Sequence, residues 1–236
     1  MKSKNRIRIH SLIILMLVSI VISSCKKETK VDYTGQKGTI TDVDGNIYPT
    51  IGIGTQIWMA ENLKTTKLND GTSIPLITDE LPWRDLTTPG YCWYNNDFNS
   101  NNIYGALYNC NAINTGKLAP SGWHIPTHDE WEILINYLGG QSTTPNKLKE
   151  LGITHWKYPN GGTNITGFTA LPGGLRGLGG GFGYGFSSIS YSGFWWSSTE
   201  FDTASNWSFG LASGDSGVND SNISKKFGLS VRCLKN

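Results

Sequence analysis

The sequence predicts an α+β domain with a modest helix content, and three observations carry that expectation. Strand-like alternation and aromatic runs occupy both ends of the chain, one amphipathic helix stands between them, and loops rich in glycine and asparagine join the pieces. Among 236 residues there are 29 glycines and 9 tryptophans, which describe a loop-rich fold with an aromatic core and not a helical bundle.

The first residues read as an export signal. Lys2, Lys4, Arg6 and Arg8 precede the apolar run Leu12 to Ile22, which is too short to span a bilayer as a helix. Ile22-Ser23-Ser24-Cys25 then resembles a bacterial lipobox, which implies lipidation of Cys25 and a partner in the membrane. The expected location is the outer membrane, on its periplasmic or cell-surface face. Residues 1–24 are the expected signal peptide, and without their four basic residues 16 Lys and Arg stand against 18 Asp and Glu. No basic stripe remains to argue for nucleic acid.

Residues 25–37 are polar and unpatterned and read as a tether, with the domain running from 38 to 236. From Thr39 the chain alternates, and Asp44-Gly45 suits a two-residue type I′ hairpin turn. Residues 65–89 read as loop, and "GYCWYNND" as a short aromatic strand entering an amide-rich turn. The main helix is expected over about 127–138, where Trp131, Leu134, Ile135 and Leu138 share one face and Gly139-Gly140 ends the pattern. Thr127 and Glu130 form the Thr-x-x-Glu of a capping box. A second helix is expected over 146–151, then a glycine-rich loop from 161 to 193. The strand-like runs "GFWWSST", "NWSFGLA" and "FGLSVRCL" follow.

Several constellations invite chemistry. His124 and His128 stand four apart, but Pro126 holds the residue before it extended, so that spacing is not helical and "HIPTH" is not the HExxH of a zincin. "GDSG" (214–217) lacks the context of a serine-protease nucleophile at Ser216. "GLGGGFGYG" (177–185) lacks the register of a phosphate loop and reads as a flexible surface loop. "DVDGN" (42–46) has its glycine in the wrong place for an EF-hand. No catalytic residue and no metal-ligand set is assigned. The amide- and carboxylate-rich stretches "NNDFNSNN" (95–102) and "SGDSGVNDSN" (213–222) are candidate ligand loops through Asn95, Asp97 and Asp215, with calcium as an optional cofactor. Of the adjacent Trp195 and Trp196, which a strand would point to opposite faces, Trp196 is the candidate for stacking on a sugar ring. Beyond Cys25 there are three cysteines, Cys92, Cys110 and Cys233, enough for one disulfide and one leftover thiol in an exported protein.

The stretches "IWMAENLK", "CWYNND", "YGALYN", "LAPSGWHIPTHDEWEILINYLGG", "NITGFTALPGGLR", "FWWSSTE" and "KKFGLSVRC" occur in that order across Asp42 to Leu234. In this the chain resembles the Fibrobacter succinogenes major paralogous domain family, largely found in exported proteins and lipoproteins. The resemblance implies a Cys92–Cys233 disulfide, with Cys110 as the odd thiol. More remotely, "GWHIPTHDEWE" and "GLSVRC" look like segments of formylglycine-generating enzymes, which implies a C-type-lectin-like architecture. That enzyme family's catalytic cysteine pair and the lectins' calcium motifs have no counterpart here. The expected function is therefore a non-catalytic binding or adhesion module, its partner a glycan or another cell-surface polymer. An enzyme related to the formylglycine-generating group and a structural surface or fimbrial subunit are the alternatives. The sequence leaves the oligomeric state open.

Overall fold

The sequence alternates strand and turn signals, and the resulting elements are short. In a computed structural model, which describes residues 30–178, 184–214 and 217–236, they are β1 Lys37–Thr41, β2 Ile47–Ile53, β3 Gln56–Met59, α1 Glu80–Arg84, β4 Tyr91–Cys92, α2 Phe98–Asn101, β5 Leu107–Tyr108, α3 Cys110–Asn114, β6 Trp123–His124, α4 His128–Tyr137, α5 Thr144–Leu148, β7 Gly173–Leu178, β8 Tyr184–Ile189, β9 Ser192–Glu200, β10 Ser205–Ala212, β11 Asn219–Ser224 and β12 Leu234–Lys235. The expected signal peptide, Cys25, Asp215 and Ser216 lie outside the described residues.

One sheet has the order β1-β2-β3-β12-β6 and is antiparallel throughout. The second has the order β11-β10-β9-β7-β8, with β7 and β9 parallel and the remaining pairs antiparallel. Strands β4 and β5 pair by themselves. The class is α+β, as the order of elements predicts.

Alternation along the strands sends neighbouring side chains into different core clusters. Ile51, Ile53, Trp58, Trp195, Phe209 and Leu234 face one cluster with Trp131, Leu134 and Ile135 of α4. Tyr48, Met59, Phe194, Trp196, Val231 and Cys233, their alternate neighbours, face a second cluster with Tyr108 and Ile113. Trp195 and Trp196 are both fully buried because β9 is covered on both faces. Trp196 donates its indole N–H to the Tyr108 carbonyl at 2.7 Å, so it is a core residue and not a sugar platform. The expectation failed because alternation says only that neighbours face opposite ways, not that one face is wet.

Helix α4 begins as predicted. Thr127 Oγ1 accepts from the Glu130 amide, and the Glu130 carboxylate accepts from the Thr127 amide at 2.8 Å. The helix docks on β9 through Ser198 N–H to the Pro126 carbonyl and His128 N–H to Thr199 Oγ1. Trp131 stacks on Phe209 at 4.4 Å and 5°, and its own indole nitrogen is buried without a hydrogen-bond partner.

Among the described residues three buried cations stand where a sequence reading expects surface charge. Arg232, fully buried, donates to Asn62 Oδ1 at 2.8 and 3.0 Å and to the carbonyls of Met59, Phe168 and Thr169. Its guanidinium lies 4.3 Å from the Phe168 ring centre. Burial pulls its pKa from 12.5 to about 9, which leaves it charged at neutral pH. Arg176 donates to the carbonyls of Ile77, Thr78 and Asp79 and lies over the rings of Trp83 and Phe186. Lys149 donates to the Ala212 carbonyl beside the Trp156 ring.

Other details differ from the sequence reading. The β1–β2 hairpin is present, but Thr41 pairs with Ile47 across a five-residue loop in which Gly45 has φ +88° and donates to the Asp42 carbonyl. Asp44 is not a turn residue of a type I′ pair; its side chain is used elsewhere. The glycine-rich segment contains β7 and β8, whose flanking positions lack the branched residues that signal strands. The second helix lies at 144–148, two residues earlier than expected and started by Pro145. The stretch 213–222 is in part strand β11. Residues read as tether also join the domain: Tyr33 N–H donates to the Gly54 carbonyl and Gly35 N–H to that of Gly52. A Cβ at Gly52 would lie 1.8 Å from the Tyr33 carbonyl oxygen, so only glycine fits under this strap.

Arg232→Ala takes the buried guanidinium donors from the carbonyls of Met59, Phe168 and Thr169, at roughly 1–3 kcal/mol for each group left unsatisfied. The expected result is a loss of at least about 3 kcal/mol, or failure to fold, in urea denaturation. Thr127→Ala should cost about 1 kcal/mol in the same assay, with the fold retained.

Candidate functional site

The amide-rich loop and the first hairpin, both singled out in the sequence, meet in space. The hairpin loop is held from inside. The Asp42 carboxylate accepts from the amides of Asp44 and Asn46, from Asn46 Nδ2 and from the Tyr48 hydroxyl. The same Tyr48 oxygen accepts the Lys64 amide at 2.9 Å. These bonds turn Asp44 outward to Thr65, Thr66 and Lys67. One Asp44 oxygen takes the Thr66 amide and both threonine hydroxyls, and the other lies 3.0 Å from Lys67 Nζ. Burial pushes the Asp44 carboxyl up, but the bonds from Thr66, Lys67 and Thr65 together hold it below the ordinary 3.8.

The facing wall follows β4. Asn95 and Asn96 adopt φ +52° and +56°, a conformation asparagine tolerates, and reverse the chain. Asn96 Nδ2 donates to the Thr78 carbonyl and Asn101 Nδ2 to that of Tyr94. The reversal places Phe98 edge-on to Trp93 at 4.8 Å, and Trp93 edge-on to Tyr91 at 6.0 Å. Trp93 belongs to the core, whereas Phe98 is 50% exposed.

Between the walls lies a groove of about 450 Å³ lined by Asp44, Asn46, Lys64, Thr66, Trp93, Phe98 and Asn102. That volume falls in the range of small-molecule sites, roughly 300–1,000 Å³. Two further depressions, of about 380 and 160 Å³, present no Phe, Tyr or Trp ring. Of the predicted ligand residues, Asn95 and Asp97 lie in the wall segment but do not line the groove, Trp196 lies in the core, and Asp215 is outside the described residues. Phe98 and Asn102 sit inside the quoted "NNDFNSNN". Asn46, Lys64 and Thr66 were missed because their approach to that loop spans tens of residues and leaves no local signal.

Neither His124 nor His128 lines the groove, and the two have different partners. His124 meets the Glu130 carboxylate and Asn236. His128 meets both Asp220 oxygens through Nε2 and packs on Trp207 at 4.2 Å. Among the described residues, His128, Asp129 and Glu132 bring ligand-type atoms within 4.8 Å of one another. Both carboxylates are exposed near the start of α4, where the helix dipole by itself favours them.

The expected Cys92–Cys233 disulfide is not formed: Cys92, Cys110 and Cys233 are free, buried thiols. Cys92 packs with Trp83, Tyr94 and Leu107, whereas Cys233 belongs to the larger cluster with Tyr48 and Tyr108. The two side chains point into separate cores. Burial pushes Cys92 up from 9.0 to about 12, with nearby Arg176 opposing, and Cys110 to about 11; it raises Cys233 as well.

The Fibrobacter succinogenes major domain model matches residues 51–235. The chain belongs to this family. The family match begins inside β2, so it includes Lys64, Thr66, Trp93, Phe98 and Asn102 but not the hairpin residues Asp44 and Asn46. No curated protein and no solved structure was found to match.

A protein spanning 26–236 should show three thiols to a chromogenic disulfide reagent in denaturant and almost none when folded; three are expected because none is paired. Detection of a single thiol after denaturation would restore a disulfide. These raised thiol values also set an alkaline limit. Their contribution is complete below the unfolded value near 9 and is lost as pH rises through 9 towards about 12. Chemical stability should therefore fall steadily over that interval.

Proposed function

We propose that this family member is the binding domain of an exported lipoprotein, anchored through Cys25 in the outer membrane, and that its groove takes a glycan. The observation that carries this reading is Phe98, an aromatic ring half exposed and braced by Trp93, with Asn46, Thr66, Lys64 and Asn102 around it. A flat apolar face ringed by amide, hydroxyl and ammonium groups matches a pyranose, which is apolar on one face and hydroxylated at its rim. The capped helix set against largely antiparallel sheets supports a C-type-lectin-like architecture. A non-catalytic role is favoured by the state of the cysteines: reactive thiols are accessible with lowered pKa, and these are buried with raised pKa.

Glycan-array screening followed by calorimetry tests the site. Phe98→Ala is expected to weaken binding by about tenfold or more while leaving thermal stability nearly unchanged. An unchanged affinity would remove the groove from the function. Metabolic labelling with palmitate tests the anchor, and Cys25→Ala should abolish the label.

A further inference from the structure

We infer that the groove recognises the uncharged pyranose rings of a neutral glycan directly, without a bridging calcium ion. This rests on the glycan reading above and names its ligand class.

The carboxylates are the reason. A sugar-bridging calcium ion needs several oxygen ligands, chiefly carboxylate and carbonyl, with free lone pairs. Among the described residues Asp44 is the one carboxylate lining the groove, and both its oxygens are already engaged by Thr65, Thr66 and Lys67. Behind it, both oxygens of Asp42 are engaged by Asp44, Asn46 and Tyr48. Moving Asp44 onto a cation would strip the Thr66 amide and the Lys67 ammonium of their acceptor. Asp44 is thus a positioning residue that joins the hairpin to the 65–67 segment, and it does not serve as a ligand.

Charge balance gives the ligand's neutrality. Lys64 pairs with Glu61 at 2.9 Å, and Lys67 with Asp44 at 3.0 Å. Lys64, the lysine among the lining residues, is matched by Glu61, and the lining carboxylate Asp44 is matched by Lys67, so neither a uronate nor an amino sugar finds an unmatched partner. Phe98 brings a half-exposed aromatic ring to the groove, Asn46 and Thr66 bring side-chain oxygens that can accept, and Asn102 brings a neutral donor and acceptor.

The test uses the full-length protein in calorimetry against neutral gluco-, manno- and galacto-configured oligosaccharides, with polygalacturonate fragments as the anionic arm and chitosan oligosaccharides as the cationic arm. Each titration is run with calcium and with EDTA. The expected result is binding of a neutral series with affinities within about twofold in the two buffers, and charged series at least about tenfold weaker. Phe98→Ala should weaken it by about tenfold or more, Phe98→Trp should retain it, and Asn102→Ala should weaken it, so the outcome does not hang on one variant. Loss of binding in EDTA, or tighter binding of a charged series, overturns the inference and leaves the glycan reading standing. Binding by none of the saccharides overturns the glycan reading and the inference with it. A separate titration of calcium alone should give the same response in wild type and Asp44→Asn. A calcium heat that Asp44→Asn removes overturns the calcium-free site whatever the saccharides do.

Discussion

The Arg232 guanidinium is the constraint on which the rest of the structure depends. It is a buried charge whose hydrogen bonds all go to neutral oxygens, so its desolvation is offset by carbonyl dipoles and the Phe168 face. Those oxygens come from the end of β3, from the 168–169 segment and from Asn62. Asn62 in turn accepts the Trp195 indole N–H and donates to the Tyr104 carbonyl. One side chain near the C-terminus thereby fixes both sheets and the loop between them. Arg176 repeats the device around residues 77–79, the segment to which Asn96 also ties the groove wall.

With those ties in place, β9 can be covered on both faces, and the groove inherits its rigidity. Its floor residue Trp93 is part of the cluster that holds Trp196, and Tyr48 and Tyr108 reach from that cluster to the Lys64 amide and the Thr65 carbonyl. Burial raises the hydroxyls of both tyrosines well above 10.0, so they remain protonated donors at any physiological pH. The walls are loops, but the bonds under them are core bonds.

Local signals were legible in the sequence. The capping box of Thr127 and Glu130, the apolar face of α4, the first hairpin and the strand character of "GFWWSST" and "NWSFGLA" all rest on contacts a few residues apart. What escaped depends on distant partners. Trp196 looks like any exposed tryptophan until the Tyr108 carbonyl meets it. Cys92 and Cys233 look like a pair until Cys92 is found beside Arg176 in a different cluster. Half of the groove was legible, because Phe98 and Asn102 lie in a loop whose composition marks it. The other half comes from the segment around Asn46 to Thr66, which composition alone does not distinguish from an ordinary hairpin.

The strap over Gly52 has a mechanical consequence. Tension drawn along the chain from its N-terminal side acts first on the Tyr33–Gly54 and Gly35–Gly52 bonds and on the Thr34–Tyr137 contact, ahead of the β1–β2 ladder. None of these residues touches the groove or the Arg232 network. The strap can yield and lengthen the chain by a few residues while the groove and the Arg232 network keep their contacts. The strap is thereby a mechanical fuse placed ahead of the β1–β2 ladder.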